Sequence, residues 1–272
     1  MTTSFASLLA VLLFSVGFVL ASPVANITST TPALSPEAFK RAVSAPYVFT
    51  AFTSASESNL YVYTSNDGTS FNLLKGPAYT PPSGLIRDPS LIMHTDSDLQ
   101  TWTLLSTIST ATSGFTPVNT WAPEFFKDPK TGKLNIIVSL STGSYGPFLP
   151  YAFTATDSTL KSWSGPTVLS GISNAGLGYI DTFPVYFNNQ YHIFAKAETN
   201  GKKTIEHAVA SSLTGPYNFV QTGNFAGWGQ AEGPCITVLP NGKFRLDLYN
   251  WSAYQTIPSL SGTVRHGTVL KQ

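Results

Sequence analysis

Short apolar runs, separated by turns rich in glycine, proline and asparagine, follow one another along most of the chain. Residues 134–140 and 191–195 are two such runs, whereas long amphipathic helical patterns are absent after the first twenty or so residues. Runs of four to eight residues with β-branched and aromatic members are typical of strands. The pattern therefore predicts an all-β protein built from many short strands.

One polar segment of the chain is repeated. Residues 95–102 have the sequence TDSDLQTW, which returns as TDSTLKSW at residues 156–163. In both copies a turn precedes an aromatic residue that can close a hairpin, as expected for the outer strands of a propeller blade. We assign Trp102 and Trp163 to packing within such units.

Five other segments begin strand-like stretches and carry polar residues in similar positions. One polar residue marks each segment: Asp88, Glu124, Asp181, Glu232 and His266. Successive marker residues are separated by 36, 57, 51 and 34 positions. A four-stranded blade with its loops needs roughly 40–50 residues. The spacing predicts five similar units that together form one polar cluster, with about a hairpin missing from the first and the last interval.

Composition narrows the class of protein further. Only 11% of the 272 residues are charged, the net charge is +1, and no run of Lys or Arg occurs. A nucleic-acid binder would carry a basic stripe, so we exclude that class. The single cysteine, Cys235, rules out an intramolecular disulfide and is predicted to be a small buried apolar residue. No coiled-coil pattern suggests assembly, so we expect a monomer.

The N-terminal residues predict export. Residues 5–21 are apolar and end in Val-Leu-Ala before Ser22, which is typical of a secretory signal peptide over residues 1–21. A membrane anchor is the alternative, although spanning a bilayer normally needs about 20 apolar residues. Residues 22–45 are rich in Ser, Thr and Pro and predict a disordered spacer before one folded domain over residues 46–272. The mature protein is then extracellular and free of the membrane.

Five motifs in order resemble those of glycoside hydrolase family 43, in particular its secreted fungal arabinosidase-like members. They are Arg-Asp-Pro-Ser at 87–90, Trp-Ala-Pro-Glu at 121–124, Tyr-Ile-Asp-Thr at 179–182, Glu-Gly-Pro at 232–234 and Val-Arg-His-Gly-Thr at 264–268. The resemblance covers nearly all of residues 46–272. It implies a five-bladed β-propeller, here with the first and last blades incomplete. It also implies hydrolysis of arabinofuranosyl or xylosyl linkages in plant cell-wall polysaccharides, with inversion at the anomeric carbon.

Carried over motif by motif, the resemblance makes Asp88 the general base, Glu232 the general acid and Asp181 the carboxylate that orients and tunes that acid. Inversion needs a base that holds a water on one face of the sugar and a protonated acid on the other. Glu232 must therefore keep its proton near neutral pH. We expect apolar neighbours and the Asp181 carboxylate to raise the pKa of Glu232.

Further residues are assigned to the same site. His266 matches a family position near the propeller axis, where some members hold calcium. A lone histidine is a poor calcium ligand, which leaves a satisfied core histidine as the alternative. No organic cofactor is expected. The predicted substrate-binding residues are Glu124, Trp121, Phe183, Trp228 and Arg265.

A second interpretation follows from the two short intervals. Relatives carry a further strand pair in each, and the loss of these pairs would leave unpaired backbone at the edges of two sheets. The alternative is therefore a catalytically silent, glycan-binding propeller or a truncated, non-functional relative. The retention of three acids favours the hydrolase over both.

Overall fold

A computed structural model describes residues 8–12, 45–82, 84–93, 99, 102–172, 178–199, 202–223, 230–238, 244–249, 260 and 264–271. Within these residues the protein is all-β, as predicted, and contains no helix. No helix in that part of the chain could therefore cross a membrane. The strands are β1 (Leu8–Leu12), β2 (Tyr47–Thr53), β3 (Ser56–Ser65), β4 (Asn72–Tyr79), β5 (Leu104–Ser109), β6 (Asn119–Lys127), β7 (Leu134–Ser141), β8 (Leu149–Ala155), β9 (Trp163–Val168), β10 (Tyr179–Phe187), β11 (Gln190–Thr199), β12 (Lys202–Ala210), β13 (Asn218–Gln221), β14 (Glu232–Val238), β15 (Phe244–Tyr249) and β16 (Val264–Lys271).

The strands form five antiparallel sheets in the described part of the chain. Two are four-stranded meanders in chain order, β6-β7-β8-β9 and β10-β11-β12-β13. The third four-stranded sheet has the order β16-β2-β3-β4, so the last strand pairs with the first strand of the folded domain. The remaining two sheets, β1-β5 and β14-β15, have two strands each.

Burial falls from the inner to the outer strands of a sheet. All residues of β7 except the first are buried, because both faces of this strand are covered by neighbouring sheets. The edge strand β9 is mostly exposed or half-buried. The core lies between the sheets: Phe126 and Ile137 of one sheet pack against Tyr179 and Ile193 of the next. A strand buried on both faces reads as a continuous apolar run, which is the pattern of residues 134–140.

The leucine and the tryptophan of the repeated segment make the same contact in both copies. The indole N–H of Trp102 donates to the carbonyl of Leu99 at 3.1 Å, and that of Trp163 donates to the carbonyl of Leu160 at 3.0 Å. Both leucines have left-handed backbone, with φ of 56° and 58°. The sequence repeat is therefore accompanied by a repeated contact between its leucine and its tryptophan.

The two-stranded sheets fall in the two intervals that the sequence marks as short. Among the described residues, β5 pairs with β1, which lies inside the predicted signal peptide, and β14 pairs with β15. Residues 94–98, 239–243 and 250–259 of these intervals lie outside the described residues. Cys235 of β14 is buried, as predicted.

Candidate active site

An extra residue interrupts the first strand of three sheets at corresponding positions. The ladder shifts between Trp121 and Glu124 in β6, between Ile180 and Phe183 in β10, and between Glu232 and Cys235 in β14. In each, two residues oppose one on the partner strand, which is a β-bulge. These bulges re-aim the side chains at the beginning of each strand.

Left-handed backbone marks the first residue inside each of these bulges. The φ angles are 50° at Ala122, 53° at Asp181 and 64° at Gly233, and Asp88 has φ 48° in a segment without regular structure. Left-handed backbone costs a residue with a side chain on the order of 1–3 kcal/mol, and such strain clusters at functional sites. Two aspartates kept in this conformation therefore point to a function at this end of the sheets.

A cavity of about 480 Å³ lies where these motifs meet. Asp88, Asp181 and Glu232 all line it, so three acids separated by up to 144 positions share one space. Arg265 and His266 of β16 line the same cavity, together with Trp121. Its wall also includes Trp102, Lys196, Glu198 and Lys203.

His266 lies between the two aspartates. Its Nδ1 is 3.0 Å from Asp88 Oδ1 and 4.0 Å from Asp181 Oδ1. Burial alone would lower the pKa of His266, but the two carboxylates outweigh it and raise the pKa to about 10. The ring is therefore a cation at neutral pH.

The two aspartates respond differently to this cation. Burial opposes the ionisation of Asp88, but the nearby His266 holds the pKa of Asp88 below its usual value. Burial raises the pKa of Asp181, which is further from His266 and accepts a hydrogen bond of 2.9 Å from the Gly233 N–H. Asp88 is thus the more readily ionised member of the pair.

Glu124 lies behind the cavity wall rather than in it. The side chain is buried; Ser90 Oγ donates to Oε2 at 2.6 Å, and Thr268 Oγ1 donates to Oε1 at 2.7 Å. Burial raises the pKa of Glu124 to about 7 despite these hydrogen bonds. One protein hydroxyl therefore donates to each oxygen of Glu124, and its predicted contact with substrate stays a prediction.

Glu232 is held by a buried lysine. Lys196 Nζ lies 2.6 Å from Glu232 Oε2 and 2.6 Å from Glu198 Oε1, and Arg265 lies 3.7 Å from the other oxygen of Glu232. Burial favours the protonated acid, but the hydrogen bond and charge of Lys196 outweigh it, so the pKa of Glu232 is lowered. The expectation of a raised pKa is therefore wrong, because the residue beside Glu232 is a cation.

The predicted aromatic residues have different positions. Trp121 lines the cavity and packs at 4.5 Å, centroid to centroid, against Phe148. Phe183 lies further along β10 and packs against the core cluster that contains Cys235 of the next sheet, outside the cavity lining, and its predicted contact with substrate stays a prediction. Trp228 lies outside the described residues.

The residues around His266 do not fit a metal site. The Nδ1 of His266 is already paired with Asp88 Oδ1 at 3.0 Å. In the described ranges, no group of three or more His, Cys, Asp and Glu side chains is arranged to hold a metal ion. His266 is instead a positive charge shared by two carboxylates.

Sequence reasoning missed the lysine beside Glu232. Lys196 and Glu198 alternate with alanines in an apolar strand, which places them on one face of β11. Two charged residues on one face of an apolar strand, in a chain so poor in charge, were the available signal. Trp102 was assigned only to packing, but it also lines the cavity.

Comparison with known proteins supports the architecture. No protein-family profile and no curated protein matches the sequence. Among solved structures, the chain is similar to an endo-arabinase from Bacteroides thetaiotaomicron, with 13% identity over 84% of this chain and 89% of that chain and a TM-score of 0.59. An endo-1,4-β-xylanase from the same organism matches 74% of this chain and 79% of that chain, with 13% identity and a TM-score of 0.41. A thermostable family-43 glycoside hydrolase matches 82% and 89%, with 14% identity and a TM-score of 0.32.

The similarity to the endo-arabinase extends over most of both chains, at an identity that shows the fold alone. The fold of this protein is therefore similar to that of the endo-arabinase.

Proposed function

We propose that this protein is a secreted, inverting glycoside hydrolase with a five-bladed propeller, acting on arabinofuranosyl or xylosyl linkages of plant cell-wall polysaccharides. The observation that carries the proposal is that Asp88, Asp181 and Glu232 line one cavity. They reach it from three separate parts of the fold. A pair of carboxyl groups on opposite sides of a sugar is what inverting hydrolysis requires.

The electrostatics divide the roles. His266 keeps Asp88 anionic, as a base that takes a proton from water must be. Glu232 must carry a proton when it protonates the leaving oxygen, whereas Lys196 favours its ionised form. We therefore expect activity to fall as the pH rises through the lowered pKa of Glu232, which gives an acidic optimum. Asp181 accepts a hydrogen bond from the N–H of Gly233, the residue after Glu232, so it lies near Glu232 in space although 51 positions separate the two acids in sequence.

The substrate class rests on the resemblance in sequence and on the shape of the site. Of the solved structures compared above, the one with the highest TM-score is an endo-arabinase. Trp121 and Trp102 offer aromatic surface in the cavity, and Arg265 offers hydrogen-bond donors that suit sugar hydroxyls. These features favour a neutral glycan chain that enters from the open side of the cavity.

Secretion would require removal of residues 1–21, which include β1. N-terminal sequencing of the protein from the culture medium tests this part of the proposal. A mature protein that begins at Ser22 supports it, whereas a retained N-terminus contradicts it.

A silent glycan-binding propeller is the second candidate function. The ion pair between Glu232 and Lys196 favours it, because an acid that has lost its proton cannot assist the leaving group. In that case the cavity would bind oligosaccharides and leave them intact.

The test is sugar release from arabinan, arabinoxylan and an aryl α-L-arabinofuranoside between pH 3 and 8. We expect Asp88→Asn and Glu232→Gln each to lower kcat by about 10²–10⁴-fold, the usual contribution of an acid or base. Lys133→Met, at an exposed turn, is the matched control. NMR of the first product formed should show the inverted anomer.

Two results would reject the hydrolase. Cooperatively folded wild type that binds arabino-oligosaccharides by calorimetry without cleaving them favours the silent propeller. Equal activity in the wild type and in Glu232→Gln would remove Glu232 from the chemistry.

A further inference from the structure

We propose that Lys196 is a positioning residue, which fixes the Glu232 carboxylate at the cavity wall and controls its protonation. The inference rests on the proposed function, since it concerns the acid of the same site. It adds a residue that belongs to none of the five motifs.

The position of Lys196 is unusual for a lysine. Its side chain is only 2% exposed, and its ammonium group lies in the cavity wall between two carboxylates of different sheets. Glu198 is on its own strand, β11, while Glu232 is the first residue of β14 in the next sheet. Burying an ammonium group costs several kcal/mol unless it is paired and hydrogen-bonded. Both acids are therefore needed to keep Lys196 where it is.

The bridge also explains how Glu232 is held. β14 belongs to a two-stranded sheet, and Glu232 precedes the bulge at which the β14 ladder shifts. The hydrogen bond of 2.6 Å from Lys196 ties this strand end to the well-packed sheet of β11. Without it, the carboxylate would lose its closest partner.

Other charged groups face Glu232, but they are placed less favourably. Arg265 of β16 lies 3.7 Å away and is one-third exposed, and Lys203 of β12 is exposed. Asp181 of β10 acts on Lys196 and favours its charged form. Solvent screens the exposed cations more than the buried one, so Lys196 has the largest influence on Glu232.

Two substitutions at this bridge should change the pKa of Glu232 differently. Lys196→Met removes the cation and should raise the pKa of Glu232. Glu198→Gln leaves Lys196 with Glu232 as its remaining hydrogen-bonded carboxylate, so the pKa of Glu232 should fall or stay the same. A general loosening of the site would move both variants in one direction, which separates control of protonation from a merely structural role.

The direct experiment is an NMR titration of protein labelled with ¹³C at the glutamate carboxyls. The resonance of Glu232 is assigned by its loss in Glu232→Gln. In the wild type, we expect the titration midpoint of Glu232 to lie below that of an ordinary glutamate. Relative to the wild type, this midpoint should be higher in Lys196→Met and should not be raised in Glu198→Gln or in the Lys133→Met control. Because Lys196→Met leaves Glu198 buried without its lysine, Lys196→Met/Glu198→Gln is titrated as well and should also show the raised midpoint.

The kinetic readout is the pH profile of kcat/KM on the aryl arabinofuranoside. Its alkaline limb should move to higher pH in Lys196→Met and in the double variant, and stay in place in Lys133→Met. An unchanged midpoint of Glu232 in both folded variants overturns the inference, whether or not the protein is active. Inactive wild type with the expected shifts in midpoint would reject the proposed function and retain the role of Lys196.

Discussion

Gly233 lies beside the cation at the centre of the site. Its φ is +64°, its N–H donates to Asp181, and a Cβ built on it would lie 3.0 Å from the ring of His266. The corresponding positions in other motifs carry aspartate or alanine despite the same left-handed backbone. The glycine is therefore required here for the space beside His266 as well as for its backbone.

Gly233→Ala should lower the free energy of unfolding by about 2 kcal/mol or more, through left-handed strain and the contact with His266. Gly132→Ala is the matched control, because Gly132 has φ +69° but no atom within 4 Å of its Cβ position. This control should cost only about 1 kcal/mol. Urea unfolding measures both, and equal losses would show that the contact with His266 has no effect.

Individual residues also show where sequence reasoning succeeded and failed. The order of the motifs was sufficient to predict that Asp88, Asp181 and Glu232 occupy one cavity. The pKa of Glu232 was not predictable, because its partner Lys196 lies 36 positions away on another sheet. Phe183 was expected at the cavity, whereas Ile180 and Asp181, at the bulge of β10, line it instead. No feature of the sequence marks this bulge directly.

At the scale of elements, one segment of the site has no strand to hold it. Residues 84–93 have no regular structure, yet they carry Asp88. Ser90 attaches this segment to β6, since its hydroxyl donates to Glu124 and accepts a hydrogen bond of 2.9 Å from the Phe125 N–H. Strand β6 therefore positions an aspartate that it does not contain.

Ser90→Ala should destabilise the protein by about 1–3 kcal/mol, because it leaves buried polar groups of β6 without a partner. Activity should fall further than stability alone explains, since Asp88 loses its anchor. Ser164→Ala, which removes an exposed hydroxyl bonded to the Thr154 carbonyl, is the comparison. Thermal unfolding and kcat would be measured for both, and a kcat of Ser90→Ala equal to that of the control would contradict the anchoring role.

Elements were predicted more reliably where they repeat. The Asp-rich segment before Trp102 was recognised from its second copy before Trp163. Each of these tryptophans donates a hydrogen bond to the carbonyl of the leucine three residues before it. The short intervals were visible as spacing, and two-stranded sheets occur there. The pairing of β1 with β5 was not predicted, because the apolar residues of β1 carry the pattern of a leader.

At the scale of the whole molecule, a single strand pair joins the two ends of the folded domain. β16 pairs with β2 from Val264 opposite Thr53 to Lys271 opposite Tyr47. The backbones of β16 and β2 lie very close together at Gly267, where a Cβ would lie 1.8 Å from the Thr50 carbonyl oxygen. The same strand brings His266 to the cavity.

Gly267→Ala should separate β16 from β2 and lower the free energy of unfolding by at least about 3 kcal/mol, since backbone cannot yield as a flexible side chain can. Hydrogen exchange of the amides of β2 and β16 should quicken before that of β7. Gly132→Ala again serves as the comparison. Unchanged protection of β16 in Gly267→Ala would show that the strand pair is not needed for closure.

The closing strand also has a consequence for biosynthesis. Thr268 is synthesised 144 residues after Glu124, its hydrogen-bond partner. His266 is likewise synthesised after Asp88 and Asp181, the two aspartates that it neutralises. At about 5–20 residues per second, a ribosome needs roughly 7–30 s to cover that distance. Over this time the nascent chain exposes acids whose counter-charge does not yet exist. We therefore expect the cavity to be completed only after β16 has been synthesised.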